Sequence, residues 1–217
     1  MVFLKGFRCY AITAIWLKEY MENVHTRQHK LWYQSSYDRG LQHLLKMWPK
    51  IRGVYPDATL DIAYGWDLFL AVYANNPERM AWKERIDGLM NVEGITHHGR
   101  VGKTRLAELR KQCGIWAYPT DFDEINCIGA LESQQDGCVP CVINKAALKE
   151  TVGSGVKVEG DIWDPETRER YLQELLALMG DEKRWLAEQE KGRDFAKQYA
   201  WPNIARRWKE VFCERAR

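Results

Sequence analysis

The sequence predicts an α/β fold, with one Rossmann-like, doubly wound parallel sheet followed by a helical C-terminal appendix. Short apolar runs alternate with amphipathic helical patterns from residue 31 to about residue 160, which is typical of a parallel sheet covered by helices on both faces. A chain of 217 residues, 46% of them hydrophobic, can fill one such domain. We therefore divide the chain into an N-terminal helical segment (1–30), the Rossmann-like domain (31–160) and C-terminal helices (161–217).

Six apolar runs are predicted to be the strands, because each has strand length and is followed by a turn residue or a helical pattern. They span residues 31–35, 60–64, 95–98, 115–118, 138–143 and 156–158. Two later helices begin at Asn76-Pro77 and Asp164-Pro165, where a polar N-cap precedes a proline in the first helical position. The helix after the first strand has an apolar face formed by Leu41, Leu44, Leu45, Trp48 and Ile51. In such a fold, ligands bind where loops lead from strand ends into helices.

The charge balance and the cysteines limit the classes of function and compartment. The 32 basic and 30 acidic residues leave a net charge of +2, so the composition gives no reason to expect a nucleic-acid partner. Six cysteines in a chain of this length do not form a disulfide framework, which predicts a cytoplasmic protein. The apolar stretch at residues 9–17 is far shorter than the roughly 20 residues that span a bilayer, so we expect no transmembrane segment.

Three short motifs have a chemical interpretation that their surroundings weaken or leave open. The segment GRVGKT lacks the first glycine of a phosphate-binding loop. Cys138 and Cys141 form a C-x-x-C pair, but they lie in an apolar strand run, which predicts structural cysteines. Asp121 and Asp123 have the D-x-D form of a divalent-ion site. This acidic pair leaves a metal-dependent transferase open as an alternative.

Two glutamates and an arginine are the candidate site residues that the predicted topology brings together. Glu124 follows the fourth strand at the mouth of the ligand crevice, and Glu132 lies eight positions later on the next helix. Arg39 lies in the neighbouring loop, after the first strand. Carboxylates accept strong hydrogen bonds from sugar hydroxyls, while an arginine and the amides of a helix N-terminus bind phosphate. This combination suits a ligand that carries both phosphate and hydroxyl groups.

The stretch YPTDFDEINCIGALESQQDGCVPCV, residues 118–142, resembles the E-x7-E region of retaining GT-B glycosyltransferases, the glycosyl transferases group 1 family. The wider resemblance runs from about residue 33 to residue 152 and includes the SSYDRG loop, the PDATL lead-in to the second strand and the HHGRV segment. The sequence departs from the family pattern at Asn126-Cys127, where an aromatic-glycine pair is usual. It departs again at Ser35-Ser36, where glycine-arginine is usual.

The resemblance implies a role for each residue of a donor site. Glu124 and Arg39 would be catalytic, with Glu124 on the hydroxyls of the transferred sugar and Arg39 on the diphosphate. Glu132 would bind the ribose of the nucleotide. The other donor-binding residues that the resemblance implies are Ser36, Gly40, Arg100, Val101, Asn126, Cys127 and Ile128.

The resemblance also implies an activity and a missing part. The activity is transfer of a sugar, a hexose, from a nucleotide-sugar donor to an unknown acceptor with retention of configuration, without a metal or a cofactor. The match covers only the C-terminal, donor-binding half of a GT-B fold, so we expect a fragment, a minimal enzyme or one subunit of an enzyme. The alternative function is a nucleotide-sugar-binding subunit or module that is inactive without an acceptor domain.

The last predicted helix suggests a partner for this half. Its apolar stripe includes Trp208 and Phe212, and by resemblance this helix would cross toward the missing half. Left exposed, such a stripe favours association. We therefore expect a homodimer or a separate acceptor-domain chain.

Overall fold

The computed structural model describes residues 27–215, with side chains described as far as Cys213. The predicted N-terminal helical segment therefore lies outside the described residues except for its last four. Within the described part, six strands form one sheet in which all neighbours are parallel. The strands are β1 (Lys30–Gln34), β2 (Thr59–Ala63), β3 (Ile95–His97), β4 (Ile115–Tyr118), β5 (Val139–Ile143) and β6 (Val156–Val158). The predicted α/β fold is confirmed.

Helices connect these strands and extend beyond the last of them. They are α1 (Leu41–Val54), α2 (Asp67–Tyr73), α3 (Pro77–Met90), α4 (Lys103–Gln112), α5 (Ile128–Gln135), α6 (Leu148–Thr151), α7 (Pro165–Gly180), α8 (Glu182–Lys197) and α9 (Trp201–Arg215). The side chains of Asn76 and Asp164 accept hydrogen bonds from the first turns of α3 and α7, as their N-cap positions predict. No helix in the described part of the chain is long and apolar enough to cross a membrane.

The strand order places a crevice at one edge of the sheet. The order is β3-β2-β1-β4-β5-β6, so the chain runs outward from β1 through β2 to β3 and then returns to β4 on the other side of β1. The connection that leaves β1 therefore leads to one edge of the sheet, and the connection that leaves β4 leads to the other edge. Ligands of open α/β sheets bind at this reversal point.

The sheet and α1 share one apolar core. All residues of β4 and β5 are buried, as expected for strands covered on both faces. On α1, the five apolar residues predicted to face inward are each no more than 2% exposed. The predicted strand bounds agree with the observed ones to within one residue, and those of β4 and β6 are identical.

The sequence-based prediction was wrong at one glycine. A glycine inside a helical pattern is a signal for a break, so the sequence predicts an interruption of the C-terminal helices at Gly192. In the structure, Gly192 instead lies within α8 and is buried. A Cβ at this position would lie 2.6 Å from Ser154 Oγ and 3.4 Å from Gln134 Cγ. Gly192 thus allows α8 to approach α5 and the loop before β6 closely, and this packing offsets the low helix propensity of glycine.

His43 places a titratable group inside the core. Its side chain is fully buried on α1, its ring centroid lies 4.5 Å from that of Trp163, and no described residue hydrogen-bonds to either ring nitrogen. Burial lowers the pKa of His43 to about 4, although the negative charge of Asp121 opposes the shift. The neutral imidazole is therefore the folded form at neutral pH.

We expect His43 alone to reduce the free energy of unfolding by about 2 kcal/mol between about pH 7 and pH 4.5. The unfolded chain takes up a proton at the ordinary pKa of 6.5, whereas the folded chain resists protonation down to about pH 4, so acid favours unfolding. His43→Leu removes this contribution, and urea unfolding of both proteins at the two pH values measures it. A variant as acid-sensitive as the natural protein would contradict the assignment.

Candidate functional site

A cleft of about 330 Å³ lies at the carboxyl edge of the sheet. Its lining comes from the ends of β1 and β2, from the loop after β3, and from α2, α4 and α5. The residues that matter here are Gln34, Tyr64, Arg100, Val101, Ile128 and Glu132. Four of the predicted donor-binding residues therefore line one cleft: Arg100, Val101, Ile128 and Glu132.

Glu124 is held at the neighbouring loop by two side chains. The Tyr118 hydroxyl donates a hydrogen bond to Glu124 Oε1 at 2.6 Å, and Arg39 Nη1 lies 3.3 Å from Oε1 and 3.4 Å from Oε2. The Arg39 guanidinium also lies over the ring of Phe122, with Cζ 3.9 Å from the centroid. Glu124 is only 10% exposed and Arg39 is 35% exposed. The two predicted catalytic residues thus form a pair in which the arginine retains access to a ligand.

The loop that carries Arg39 depends on a glycine. Gly40 has φ of +104° and is buried, and a Cβ at this position would lie 2.2 Å from the carbonyl oxygen of Pro119. The loop after β1 therefore packs directly on the backbone of the loop after β4. This close approach brings Arg39 to Glu124, and it leaves Gly40 behind the site rather than on its surface.

Glu132 belongs to a network that the sequence analysis missed. Arg110 Nη1 donates to Glu132 Oε2 at 3.0 Å and to Gln34 Oε1 at 2.9 Å, and Arg110 Nε donates to Asp136 Oδ2 at 2.7 Å. Gln34 Nε2 in turn donates to the carbonyl of Gly129 at 3.3 Å. The Arg110 side chain is 6% exposed, whereas that of Glu132 is 45% exposed. Only the position of Arg110 beside the inward-facing Leu109 on α4 gave a sequence signal.

The first turn of α5 has no side-chain cap. Its N-cap residue is Cys127, whose thiol makes no capping hydrogen bond and whose side chain belongs to the core. Burial raises the pKa of Cys127 to about 12, so the thiol is not a nucleophile at neutral pH. The amide of Ile128 donates to the carbonyl of Asn126 at 3.2 Å. Of the predicted residues here, Asn126 and Ile128 are exposed and Cys127 is turned inward.

Ser36 contributes backbone contacts within its own loop. Its carbonyl accepts hydrogen bonds from the Tyr33 hydroxyl and from the amide of Arg39, each at 3.0 Å. Ser35 Oγ lies 3.2 Å from the Tyr118 hydroxyl. Ser35 and Ser36 thus contact the residues that hold Glu124.

The two aspartates of the D-x-D motif have different partners. Asp121 Oδ2 accepts a hydrogen bond from Trp163 Nε1 at 2.9 Å, while Asp123 Oδ1 lies 3.0 Å from Lys145 Nζ. Lys145 Nζ also donates to the Asp121 carbonyl oxygen at 2.7 Å, which places at the D-x-D motif a cation that the sequence analysis did not single out. Within residues 27–213, no group of three or more potential ligand side chains is placed to hold a metal ion.

Cys138 and Cys141 are buried and unpaired. Burial raises the pKa of each thiol to about 12, and a protonated thiol is a poor nucleophile. Cys138 Sγ lies 3.1 Å from the carbonyl oxygen of Arg110. Their prediction as structural cysteines is confirmed.

Comparisons with known proteins concern the fold. No family profile matches the sequence, and no curated protein does. The C-terminal domain of the group 1 family glycosyl transferase LpcC from Francisella tularensis aligns with a TM-score of 0.58 and 15% identity, over 78% of this chain and 83% of that domain. The chain has the fold of half a GT-B glycosyltransferase.

Two further structures belong to longer chains, of which this chain covers only a part. Pneumococcal O-GlcNAc transferase GtfA, in complex with UDP and GlcNAc, aligns with a TM-score of 0.68 and 16% identity, over 87% of this chain and 36% of its own. Anabaena HepE, in complex with UDP and glucose, aligns with a TM-score of 0.66 and 14% identity, over 91% of this chain and 51% of its own. The GT-B half thus spans between about one third and one half of these chains.

Proposed function

We propose that this GT-B half binds a nucleotide sugar and, together with an acceptor-binding half, transfers the sugar to an acceptor with retention of configuration. The observation that carries the proposal is the cleft at the point where strand order reverses, with Glu132 in its wall and the Arg39–Glu124 pair on the adjacent loops. Two similar structures hold UDP together with a sugar, which supports a donor of this chemical class.

The parts of the cleft suit the parts of such a donor. Arg100 and Val101 offer a partly apolar wall for the base, and the Glu132 carboxylate is an acceptor for the ribose hydroxyls. The positive end of the α5 helix dipole and the guanidinium of Arg39 are suited to the diphosphate. Glu124 then faces the sugar that follows the diphosphate.

The proposed transfer exchanges one bond at the anomeric carbon. The bond from this carbon to the diphosphate breaks, and the diphosphate leaves with the electron pair. The acceptor hydroxyl oxygen bonds to the carbon on the same face and gives its proton to the departing diphosphate. Arg39 and the positive end of the α5 dipole stabilise the negative charge that develops there. Both contacts of Arg39 with Glu124 use Nη1, so the other N–H groups of the guanidinium can donate to a second anion.

The proposal includes a partner for the exposed surface of α9. Its apolar stripe consists of Trp201, Trp208, Val211 and Phe212, all of them exposed, and none of its described side chains is buried. A helix of this length is marginal in water without packing. We propose that an acceptor-domain chain or a second copy of this chain covers the stripe, and sedimentation over a concentration series separates the two.

We expect UDP or UDP-glucose to raise the melting temperature of the natural protein, because a ligand that binds only the folded state stabilises it. UDP is the first probe, with ADP and GDP and their sugars completing the panel. Glu132→Ala should abolish most of the shift, and the variant should still fold because Arg110 retains Asp136 and Gln34 as acceptors. Glu150→Ala, an exposed glutamate on α6, is the matched control.

The same panel separates the proposed function from its alternatives. A shift that persists in chelator supports metal-independent donor binding, whereas one that chelator abolishes supports the metal-dependent alternative through Asp121 and Asp123. Binding without transfer by the isolated chain supports the subunit alternative. No shift with any nucleotide would overturn the proposed function.

A further inference from the structure

Arg110 joins three elements beneath the floor of the cleft. Arg110 lies on α4, and its guanidinium hydrogen-bonds to Gln34 at the end of β1, to Glu132 on α5 and to Asp136 at the C-cap of α5. All three distances lie between 2.7 and 3.0 Å. A buried guanidinium with three acceptors is held in one geometry, because moving it leaves a buried charge without partners.

We propose that Arg110 is a positioning residue that fixes the Glu132 carboxylate for recognition of a vicinal ribose diol, and that it thereby makes the site selective for ribonucleotides. This inference rests on the proposed function. Arg110 itself is nearly inaccessible, so it acts on the ligand through Glu132 rather than by direct contact.

The geometry of Glu132 supports this role. Arg110 engages Oε2 at 3.0 Å, and no described residue donates to Oε1. A half-exposed glutamate without an anchored partner samples several rotamers, and ordering such a side chain on binding opposes affinity. With one oxygen held, the other presents its acceptor lone pairs to the cleft. The site thus has a preorganised acceptor for the hydroxyls that distinguish ribose from deoxyribose.

The network also connects the ribose position to the phosphate position. Gln34 accepts from Arg110 and donates to the carbonyl of Gly129, in the first turn of α5. A Cβ at residue 129 would lie 2.9 Å from Gln34 Nε2, so this turn packs directly on the glutamine. One buried arginine therefore sets Glu132 relative to the uncapped helix end.

The test compares the dissociation constants of UDP and 2′-deoxy-UDP by calorimetry. A hydrogen bond to a charged group contributes more binding free energy than one between neutral groups. We therefore expect the natural protein to bind UDP about 10-fold or more tightly than 2′-deoxy-UDP. Arg110→Met should lower UDP affinity by about 10-fold and reduce the preference to below about 3-fold. Glu132→Gln should have the same two effects. The double variant should bind UDP as tightly as either single variant, because both substitutions disable the same acceptor, the Glu132 carboxylate.

Two further variants keep the test decisive. Arg184→Met removes another arginine–glutamate pair, to Glu174 at 3.0 Å and remote from the cleft, and should leave the preference unchanged. If Arg110→Met does not fold, Arg110→Lys keeps the buried charge but not the fork of donors, and should still reduce the preference. If the Arg110 variants kept the preference for UDP, or if the natural protein bound UDP and 2′-deoxy-UDP equally, the inference would be overturned and the proposed function would stand. A natural protein that binds no nucleotide would overturn the proposed function with it.

Discussion

Glu124→Ala is expected to weaken UDP-glucose binding by about 10- to 100-fold while UDP affinity stays equal or rises. The two ligands should respond in opposite directions because Glu124 plays opposite parts for them. In the proposed function, its carboxylate accepts hydrogen bonds from the sugar. For the diphosphate, it is a nearby negative charge that also occupies Arg39 at 3.3 Å, and removing it frees the arginine for the phosphate.

The structure indicates that this variant folds. The Tyr118 hydroxyl loses Glu124 but retains Ser35 Oγ at 3.2 Å, and Arg39 is already 35% exposed. Asp123→Ala is the matched control: it lies next to Glu124, is 79% exposed and pairs with Lys145. If Glu124→Ala lowered the affinities for UDP and UDP-glucose equally, Glu124 would maintain the fold of the site and would not contact the sugar. A lower affinity for UDP-glucose in Asp123→Ala would favour the metal-dependent alternative.

Gly40→Ala is expected to reduce the free energy of unfolding by about 3 kcal/mol. The observed φ of +104° disfavours any side chain, and the new Cβ would lie 2.2 Å from the Pro119 carbonyl oxygen and 2.8 Å from Thr120 Cα. Neither neighbour is a flexible side-chain end, so the two loops must separate. Urea unfolding measures the loss, and binding of UDP-glucose should weaken as Arg39 moves from Glu124.

The helix that follows Gly40, α1, offers a matched control for this change. Gly53 lies within α1, is exposed, and a Cβ there would meet nothing within 4 Å. Gly53→Ala should therefore raise the free energy of unfolding by about 0.5–1 kcal/mol, because alanine has the higher helix propensity. Equal free energies of unfolding for Gly40→Ala and Gly53→Ala would contradict the close packing of the two loops at Gly40.

The sheet could be predicted from the sequence because its strands are continuous apolar runs between clear turn signals. β4 and β5, buried along their whole length, are the plainest examples. Two short helices, α2 and α6, were not predicted, since seven and four residues are too few to establish a helical period. Gly192 was misread because the sequence shows a helix breaker and not the neighbouring Ser154, which contacts it only in the folded chain.

The candidate site could be predicted in part for a similar reason. The topology rule and the resemblance brought forward Glu132, Ile128 and the Arg100-Val101 wall, which the structure gathers into one cleft. Arg110 and Gln34 are 76 positions apart in the chain, and nothing local marks them as partners. Cys127 looked like part of the ligand surface by position, yet its side chain satisfies the core. Side-chain direction and long-range pairing were the information that the sequence pattern lacked.

The lengths of β3 and β6 have a consequence for the behaviour of the protein in crowded solution. These are the outermost strands of the sheet, and each has only three residues. An outer strand can template the addition of further chains through its unpaired amide and carbonyl groups, and a short one offers few of them. We therefore expect little tendency toward fibrils. Contacts between molecules should form through the apolar stripe of α9 instead, which saturates once it is covered, so that the resulting particles are finite in size and dissolve again on dilution.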